Sequence, residues 1–234
     1  MARMAGTIQA LFLAVAVFVG GHFILSSVSV REGLIKALGV NGFRLLYSAL
    51  AFAGLAWTIF SYSAAPVEAL WPDSPALRNL PFLVMPFACI LVVAGLSTQN
   101  VTMLAGERYL ESPRPLWGIV TVTRHPALWG IGLWAVAHLL ANGDTASVIL
   151  FGGMAILAFG GMAHIDSRRR ASLGSAWGPV ELTTSVIPFL AAIQGRTRID
   201  WAGIGLGRVA AGIALYLALI LTHGWVIGVE LLPR

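Results

Sequence analysis

Apolar segments separated by short polar connections run along almost the whole chain. A bilayer core requires about 20 apolar residues per helix, and six stretches meet or nearly meet that length. Because lipid cannot satisfy exposed peptide groups, helices are the expected backbone. The pattern therefore predicts an all-α, polytopic membrane helix bundle with about six transmembrane helices, and we interpret residues 1–234 as a single integral membrane domain. The six stretches lie at about 4–30, 43–63, 80–104, 126–141, 146–165 and 203–229.

The first and fourth stretches differ from an ordinary transmembrane segment. The first follows Arg3 and has the charge and apolar run of a secretory signal, but it has no clear small-x-small cleavage site, so we expect a retained helix. The fourth has only about 16 residues and would span about 24 Å as a helix. We expect tilt, local bilayer thinning or a partner helix to compensate for this length.

The composition excludes a water-soluble globular protein. The chain is 58% hydrophobic and 11% charged, with a mean hydropathy of +0.83, whereas soluble domains are about 25% charged. In a membrane protein, a net charge of +5 indicates orientation and contact with anionic lipid headgroups, so we predict no nucleic-acid partner. The single cysteine, Cys89, excludes an internal disulfide and a multi-cysteine metal site.

Basic residues are concentrated in alternate connections between the predicted helices. Eleven fall in the first, third and fifth connections, and three fall on the opposite side. The positive-inside rule then predicts that these three connections lie in the cytoplasm and that both termini lie outside. The eleven are Arg31, Lys36, Arg44, Arg108, Arg114, Arg124, Arg168, Arg169, Arg170, Arg196 and Arg198, and the three are Arg3, Arg78 and Arg234.

Two histidines are predicted to lie near the middle of the membrane, where ionisable side chains are costly and therefore mark candidate sites. At about 1.5 Å per residue from the nearest cytoplasmic arginine, His22 lies about 13 Å deep and His138 about 21 Å deep. A neutral imidazole in an apolar bundle can ligate a metal or haem iron. The alternative is that each histidine only bonds a nearby carbonyl or hydroxyl. His223 is about as deep as His138, but Gly224 and Trp225 place it in an external aromatic belt.

A second group of polar residues surrounds the predicted start of the fourth helix. Pro126 suits a first helical position, with His125 before it as the cap, and Arg124 with free helix N–H groups could bind an anion. Interfacial solvation is the simpler explanation for part of this group, and an aspartate beside several arginines is usually a solvated ion-pair cluster. The polar group contains Gln99, Asn100, Arg124, His125, His164, Asp166 and Arg168. Separately from this group, we expect 172–178 to be a surface turn.

Glycines on the fifth predicted helix form a stripe on one face. Gly152, Gly153, Gly160 and Gly161 lie about two turns apart. Small residues at that spacing allow helix backbones to approach closely in lipid. His164 follows on the same face, so we expect it to project toward the protein.

Several segments resemble a known family. They are GGHF at 20–23, RLLYS at 44–48, RHPALWG at 124–130, AHLLANGD at 137–144, DSRR at 166–169 and TSVIPF at 184–189. With these segments the chain resembles the NnrU family, which is named for a role in bacterial nitrite and nitric oxide reduction. The related plastid 15-cis-zeta-carotene isomerases hold a non-covalent b-type haem through histidines. This resemblance implies haem ligation by His22 and His138, while the isomerases' further histidine falls at about Leu157 here.

A more distant resemblance supplies the alternative cofactor. The Arg124-His125-Pro126 helix start is similar to that of isoprenylcysteine carboxyl methyltransferases, which bind S-adenosylmethionine from the cytoplasmic side. If S-adenosylmethionine binds, we expect the polar cytoplasmic group of Gln99, Asn100, Arg124, His125 and Asp166 to hold it, and His164 is a further cofactor-binding candidate.

Three functions therefore remain open at the level of sequence. The first is an NnrU-like protein with haem b, linked to nitrite and nitric oxide reduction or to haem-dependent isomerisation of a hydrophobic small molecule. The second is an S-adenosylmethionine-dependent membrane methyltransferase. The third is a non-enzymatic membrane assembly factor, and all three require contact with the lipid bilayer.

The predicted topology can be tested with cysteine reporters at positions 33 and 73. Because these positions lie in connections with opposite basic content, an impermeant thiol reagent should label only position 73 from outside. Labelling of both positions from outside would contradict the topology.

Overall fold

The chain is described by a computed structural model for residues 6–103, 106–110 and 116–231, apart from the side chains at 107 and 108. Long apolar helices dominate it, which confirms the predicted polytopic helical fold. Five of the described helices are long and apolar enough to cross a membrane. They are α1 (Ile8–Ser26), α2 (Val28–Ala64), α3 (Pro75–Ser97), α5, which begins at Thr145, and α9 (Leu206–Ile227). The shorter α4 (Pro126–Asn142) has 17 residues, close to the length expected for the fourth predicted stretch.

Shorter elements connect these helices. Helix α5 ends at Leu173, and α6 (Gly178–Thr183), α7 (Leu190–Ile193) and α8 (Trp201–Ile204) lie between it and α9. Turns of 3-10 helix occur at Gly106–Tyr109, Gly118–Thr121 and Gly174–Trp177.

The chain forms two compact units. The first contains the chain up to Pro81 together with Ala135–Arg168, and the second contains Phe82–Trp134 with the chain from Arg169 onward. The first unit therefore holds α1, α2 and most of α5, and the second holds most of α3, the start of α4, and α6 to α9.

In the first unit, α1 packs against α2 and α5. Leu11 and Val15 of α1 form a buried apolar cluster with Ala146 of α5. Gly153 faces Val15, and a side chain at Gly160 would meet the Phe23 ring at 3.0 Å. These two glycines confirm the prediction that small residues of the fifth helix allow close approach to a neighbour.

Most of the connection predicted between the first two apolar stretches is helical. Helix α1 ends at Ser26, and α2 begins at Val28 and continues beyond a break at Gly39, where φ is 72°. Arg31 and Lys36 therefore belong to a helix. Apolar run length could not reveal this helical segment, since its sequence is as polar as that of a loop.

A set of backbone bonds joins two loops at one end of the first unit. The N–H groups of Leu70 and Trp71 both donate to the Gly143 carbonyl, at 2.8 and 3.3 Å. The Trp71 indole donates to the Leu140 carbonyl at 3.3 Å, and Thr145 N–H donates to Glu68 at 2.9 Å. These bonds connect the α2–α3 loop with the α4–α5 loop.

In the second unit, small residues bring α3, α4 and α9 close together. A side chain at Gly95 would overlap Ala127 of α4, and one at Gly212 would overlap Ile90 of α3. Asp200 caps α8 by accepting from Gly203 N–H at 2.8 Å, and its second oxygen accepts from Gly118 N–H at 3.0 Å.

The membrane orientation stays a prediction. Arg3, Arg114 and Arg234, which entered the count of basic residues, lie outside the described residues, as does the side chain of Arg108.

The α1–α5 packing can be tested at Gly153. A Gly153→Ala substitution should reduce stability by about 1–3 kcal/mol, because the new methyl group would overlap Val15, whose branched side chain has little freedom to move. Thermal unfolding in detergent measures the loss. Gly20→Ala in α1 is the matched control, since nothing lies within 4 Å of its added carbon. Equal midpoints for the two variants would contradict close packing at Gly153.

Candidate functional site

An apolar cavity of about 300 Å³ lies between α1 and α2 in the first unit. Glycines and alanines line part of it, and Phe18 and Trp57 add aromatic surface. Val17, Leu50 and Trp57 are also exposed on the surface, so the cavity opens to the outside of the protein. The lining residues are Val17, Phe18, Gly21, His22, Leu25, Tyr47, Leu50, Ala51, Ala53, Gly54 and Trp57.

His22 presents one ring nitrogen on the wall of this cavity. Its Nδ1 lies 2.7 Å from the Phe18 carbonyl, one helical turn earlier. Because a carbonyl only accepts, Nδ1 carries a proton, and in the neutral form of the ring the lone pair is therefore on Nε2. Within the described part of the chain, Nε2 has no hydrogen-bond partner. An imidazole whose other nitrogen bonds a backbone carbonyl is the usual state of a metal-ligating histidine.

Tyr47 is the second polar group that lines the cavity. Its ring lies edge-on to His22 at 5.5 Å and 6.0 Å from the Phe43 ring. No described residue forms a hydrogen bond with its hydroxyl. The cavity therefore has an apolar wall with two polar groups from neighbouring helices, as many small-molecule sites do.

His164 is joined to the same part of α1 through Ser26. The Ser26 hydroxyl donates to the His22 carbonyl and lies 3.0 Å from His164 Nε2. Because the hydroxyl has one proton, His164 Nε2–H must be the donor in the second bond. The His164 ring also lies edge-on to Phe23 at 5.6 Å. Its Nε2 therefore holds α5 against α1 in this structure.

His138 has different neighbours from those of His22. Its ring lies 5.4 Å from that of Phe151, and its carbonyl accepts from Asn142 at 2.7 Å. It is not among the residues that line the α1–α2 cavity, so its pairing with His22 stays a prediction. Among the described residues there is no group of three or more His, Cys, Asp or Glu side chains that could hold a metal ion.

In the second unit, the predicted polar group at the start of α4 is largely buried. Arg124 is 6% exposed and His125 is 2% exposed, and the helix begins at Pro126 as predicted. Arg124 N–H donates to Ser185 at 2.8 Å, and its guanidinium carbon lies 5.9 Å from the centre of the Trp177 ring. Interfacial solvation therefore does not account for Arg124 and His125.

Asn100 organises the loop after α3. Its Oδ1 accepts from Thr102 N–H at 2.9 Å, from the Thr102 hydroxyl at 2.6 Å and from Met103 N–H at 3.1 Å. The Thr102 hydroxyl also lies 2.9 Å from the Arg124 carbonyl. Gln99, by contrast, is exposed, so only one of the two adjacent amides belongs to the buried group.

Two expectations about residues 166–178 need correction. The segment 172–178 was predicted to be a surface turn, and residues 172 and 174–176 are exposed, but Trp177 is 0% exposed. The Asp166–Arg169 segment was predicted to be solvated, yet both of these side chains are buried, and Arg169 Nη2 donates to the Met103 carbonyl at 2.7 Å. The spacing of three between Asp166 and Arg169, which places them on one helix face, was the available signal.

The apolar helices and the histidine-lined cavity define a multi-pass membrane protein with a candidate small-molecule site. The chain belongs to the NnrU family, whose model, described as NnrU protein, matches residues 10–231.

Two curated relatives are similar to part of the chain. The 15-cis-zeta-carotene isomerase, chloroplastic, of Zea mays is 34% identical over 106 residues, which is 44% of this chain and 28% of the maize protein. That of Arabidopsis thaliana is 33% identical over 103 residues, 43% of this chain and 27% of the relative. The matches thus span less than a third of these relatives. No solved structure matches the chain.

Proposed function

We propose that this NnrU-family membrane protein binds a non-covalent b-type haem in the first unit, with His22 as a ligand of the iron. The observation that carries the proposal is the Nδ1 bond to Phe18, which leaves Nε2 for iron on the wall of an apolar cavity. Gly21, Ala51 and Gly54 give part of that wall little side-chain bulk, which suits a flat ligand. The volume of about 300 Å³ is at the lower end for ligand pockets.

His138 is the proposed second ligand of the iron, as the family resemblance implies. It lies on α4 outside the cavity lining, so it would bind the same iron only where haem extends beyond those residues. His22 would then hold the iron at the cavity, and His138 would be a second ligand. Bound haem supplies redox and Lewis-acid chemistry, with a potential that depends on the axial ligands and on burial.

The proposed substrate is a hydrophobic small molecule that reaches the site from lipid. The cavity opens beside Val17 and Leu50, which are about half exposed, and its lining is mostly apolar. The relatives are named as carotene isomerases, which favours an isomerase-like reaction. A role in nitrite or nitric oxide reduction in the bacterial inner membrane is the alternative use of the same haem.

Haem ligation can be tested by spectroscopy on the purified protein. The wild type should show a Soret band and yield about one haem per chain as the pyridine haemochrome. His22→Ala should remove or strongly shift the band because the iron loses a ligand. His138→Ala should convert a six-coordinate spectrum into a five-coordinate one if it is the second ligand.

His223→Ala is the matched control for these variants. His223 also bonds a backbone carbonyl through Nδ1, at 2.9 Å from Val229, but it does not line the cavity. Its replacement should leave the spectrum nearly unchanged. A preparation that stays colourless after haem supplementation would refute the proposal, and bleaching by His223→Ala alone would refute the ligand assignment.

S-adenosylmethionine binding in the second unit is the second candidate function, which would make the protein a membrane methyltransferase. It is favoured by the buried Arg124 and His125 at the start of α4, beside the Asn100 loop. Burying a charged cofactor in lipid is costly, so such a cofactor would bind at a polar site near the membrane surface. The proposed site uses Asn100, Arg124 and His125, whereas the predicted candidates His164 and Asp166 belong to the first unit.

Calorimetric titration with S-adenosylhomocysteine separates the two functions. Under the haem proposal we expect no binding in the micromolar range. Micromolar binding that is lost in Arg124→Ala and kept in Arg198→Ala would favour the methyltransferase, since Arg198 is exposed and controls for lost charge. Absence of both haem and S-adenosylhomocysteine binding would favour the assembly-factor alternative.

A further inference from the structure

Gly21 is an open position in the wall that α1 contributes to the α1–α2 cavity. Val17, Gly21 and Leu25 all line the cavity, and their spacing of four residues places them on one face of α1. Gly21 therefore leaves a notch in this wall between two apolar side chains. A carbon atom added at Gly21 would have no described atom within 4 Å, so no neighbouring side chain in the described part of the chain fills the notch.

The notch lies at the level of small side chains on α2. A carbon added at Gly54 would lie 3.2 Å from the Phe18 ring, and the rings of His22 and Tyr47 are 5.5 Å apart. Because Gly21 lies between Phe18 and His22 along α1, it is level with the part of α2 between Tyr47 and Gly54. The lining residues in that part of α2 are Leu50, Ala51 and Ala53.

Close approach of helices, the usual role of a glycine in a membrane helix, applies to Gly54 but not to Gly21. At Gly54 the added carbon would press on the Phe18 ring, so the small size of this residue serves packing between α1 and α2. At Gly21 the added carbon would meet no described neighbour. A larger side chain at Gly21 would therefore take up space in the cavity without displacing the protein around it.

We propose that Gly21 determines which ligands fit the cavity, because its notch receives the apolar edge of a flat ring beside His22. The inference rests on the proposed function and deepens it. The side chains that flank the notch are apolar, and an ionised carboxylate is strongly disfavoured in such surroundings. The edge of haem that carries the vinyl groups, and not the edge that carries the carboxylates, is therefore the part that enters the notch. Gly21 is thus a specificity-determining residue.

The test introduces alanine, valine and leucine at Gly21 in the full chain, solubilised in detergent. Haem is titrated into each apoprotein, and the Soret band reports binding. Affinity should fall with each increase in side-chain size, and Gly21→Leu should bind haem at least about tenfold more weakly than the wild type, because overfilling a packed site costs free energy. Deuterohaem, which has hydrogen atoms in place of the vinyl groups, should lose less affinity in the same variants.

Thermal unfolding of the apoproteins separates a filled cavity from a damaged fold. Gly21→Ala and Gly21→Leu should unfold at or above the wild-type midpoint, because no described neighbour is displaced and both new residues favour the helix more than glycine does. Gly20→Leu is the matched control, since a carbon added there is equally open but Gly20 does not line the cavity. It should bind haem as tightly as the wild type.

Several outcomes would overturn the assignment of Gly21. They are wild-type affinity for haem in Gly21→Leu, equal losses of affinity for haem and deuterohaem, and an equal loss in Gly20→Leu. A lower apoprotein midpoint in Gly21→Leu would also overturn it, because Gly21 would then be a packing position. Absence of a Soret band in the wild type with either compound would instead refute the proposed function.

Discussion

The exclusion of water from the bilayer is the constraint on which this structure depends. Every polar group inside the membrane must find its partner within the protein, and the helices satisfy their backbone in this way. Several side chains do the same. His22 Nδ1 uses the Phe18 carbonyl, and His164 uses Ser26. The other ring nitrogen of His22, Nε2, has no hydrogen-bond partner among the described residues, and because His22 lines the cavity, it gives the first unit a candidate site.

The same constraint explains why the helices could be predicted from the sequence. An apolar run of about 20 residues leaves few alternatives to a transmembrane helix, so α1, α3 and α9 were expected near their observed positions. The segment around Arg31 was not, because its helix lies outside any long apolar run. The close approach at Gly153 was also predictable, since small residues spaced along one face of a membrane helix commonly allow a neighbouring helix to pack closely.

The candidate sites were predictable only in part. His22 could be found because an ionisable residue at that depth is unusual, and Arg124 because it precedes a helix-starting proline. Tyr47 and Trp177 were missed, since aromatic residues are common in apolar helices and turns. Which of them lines a cavity or lies wholly buried depends on how the helices and turns pack against one another. Burial of Arg169 similarly depends on the Met103 carbonyl, 66 residues away.

The cavity between α1 and α2 has a consequence for biosynthesis. All of its lining residues lie between Val17 and Trp57, on two helices that are consecutive in the chain and meet at Ser27. Contacts local in sequence form quickly, because little chain entropy is lost in bringing them together. Its walls therefore need only the first part of the nascent chain, before α5 has been synthesised. A ligand present in the membrane could meet this hairpin during insertion and be enclosed as later helices arrive.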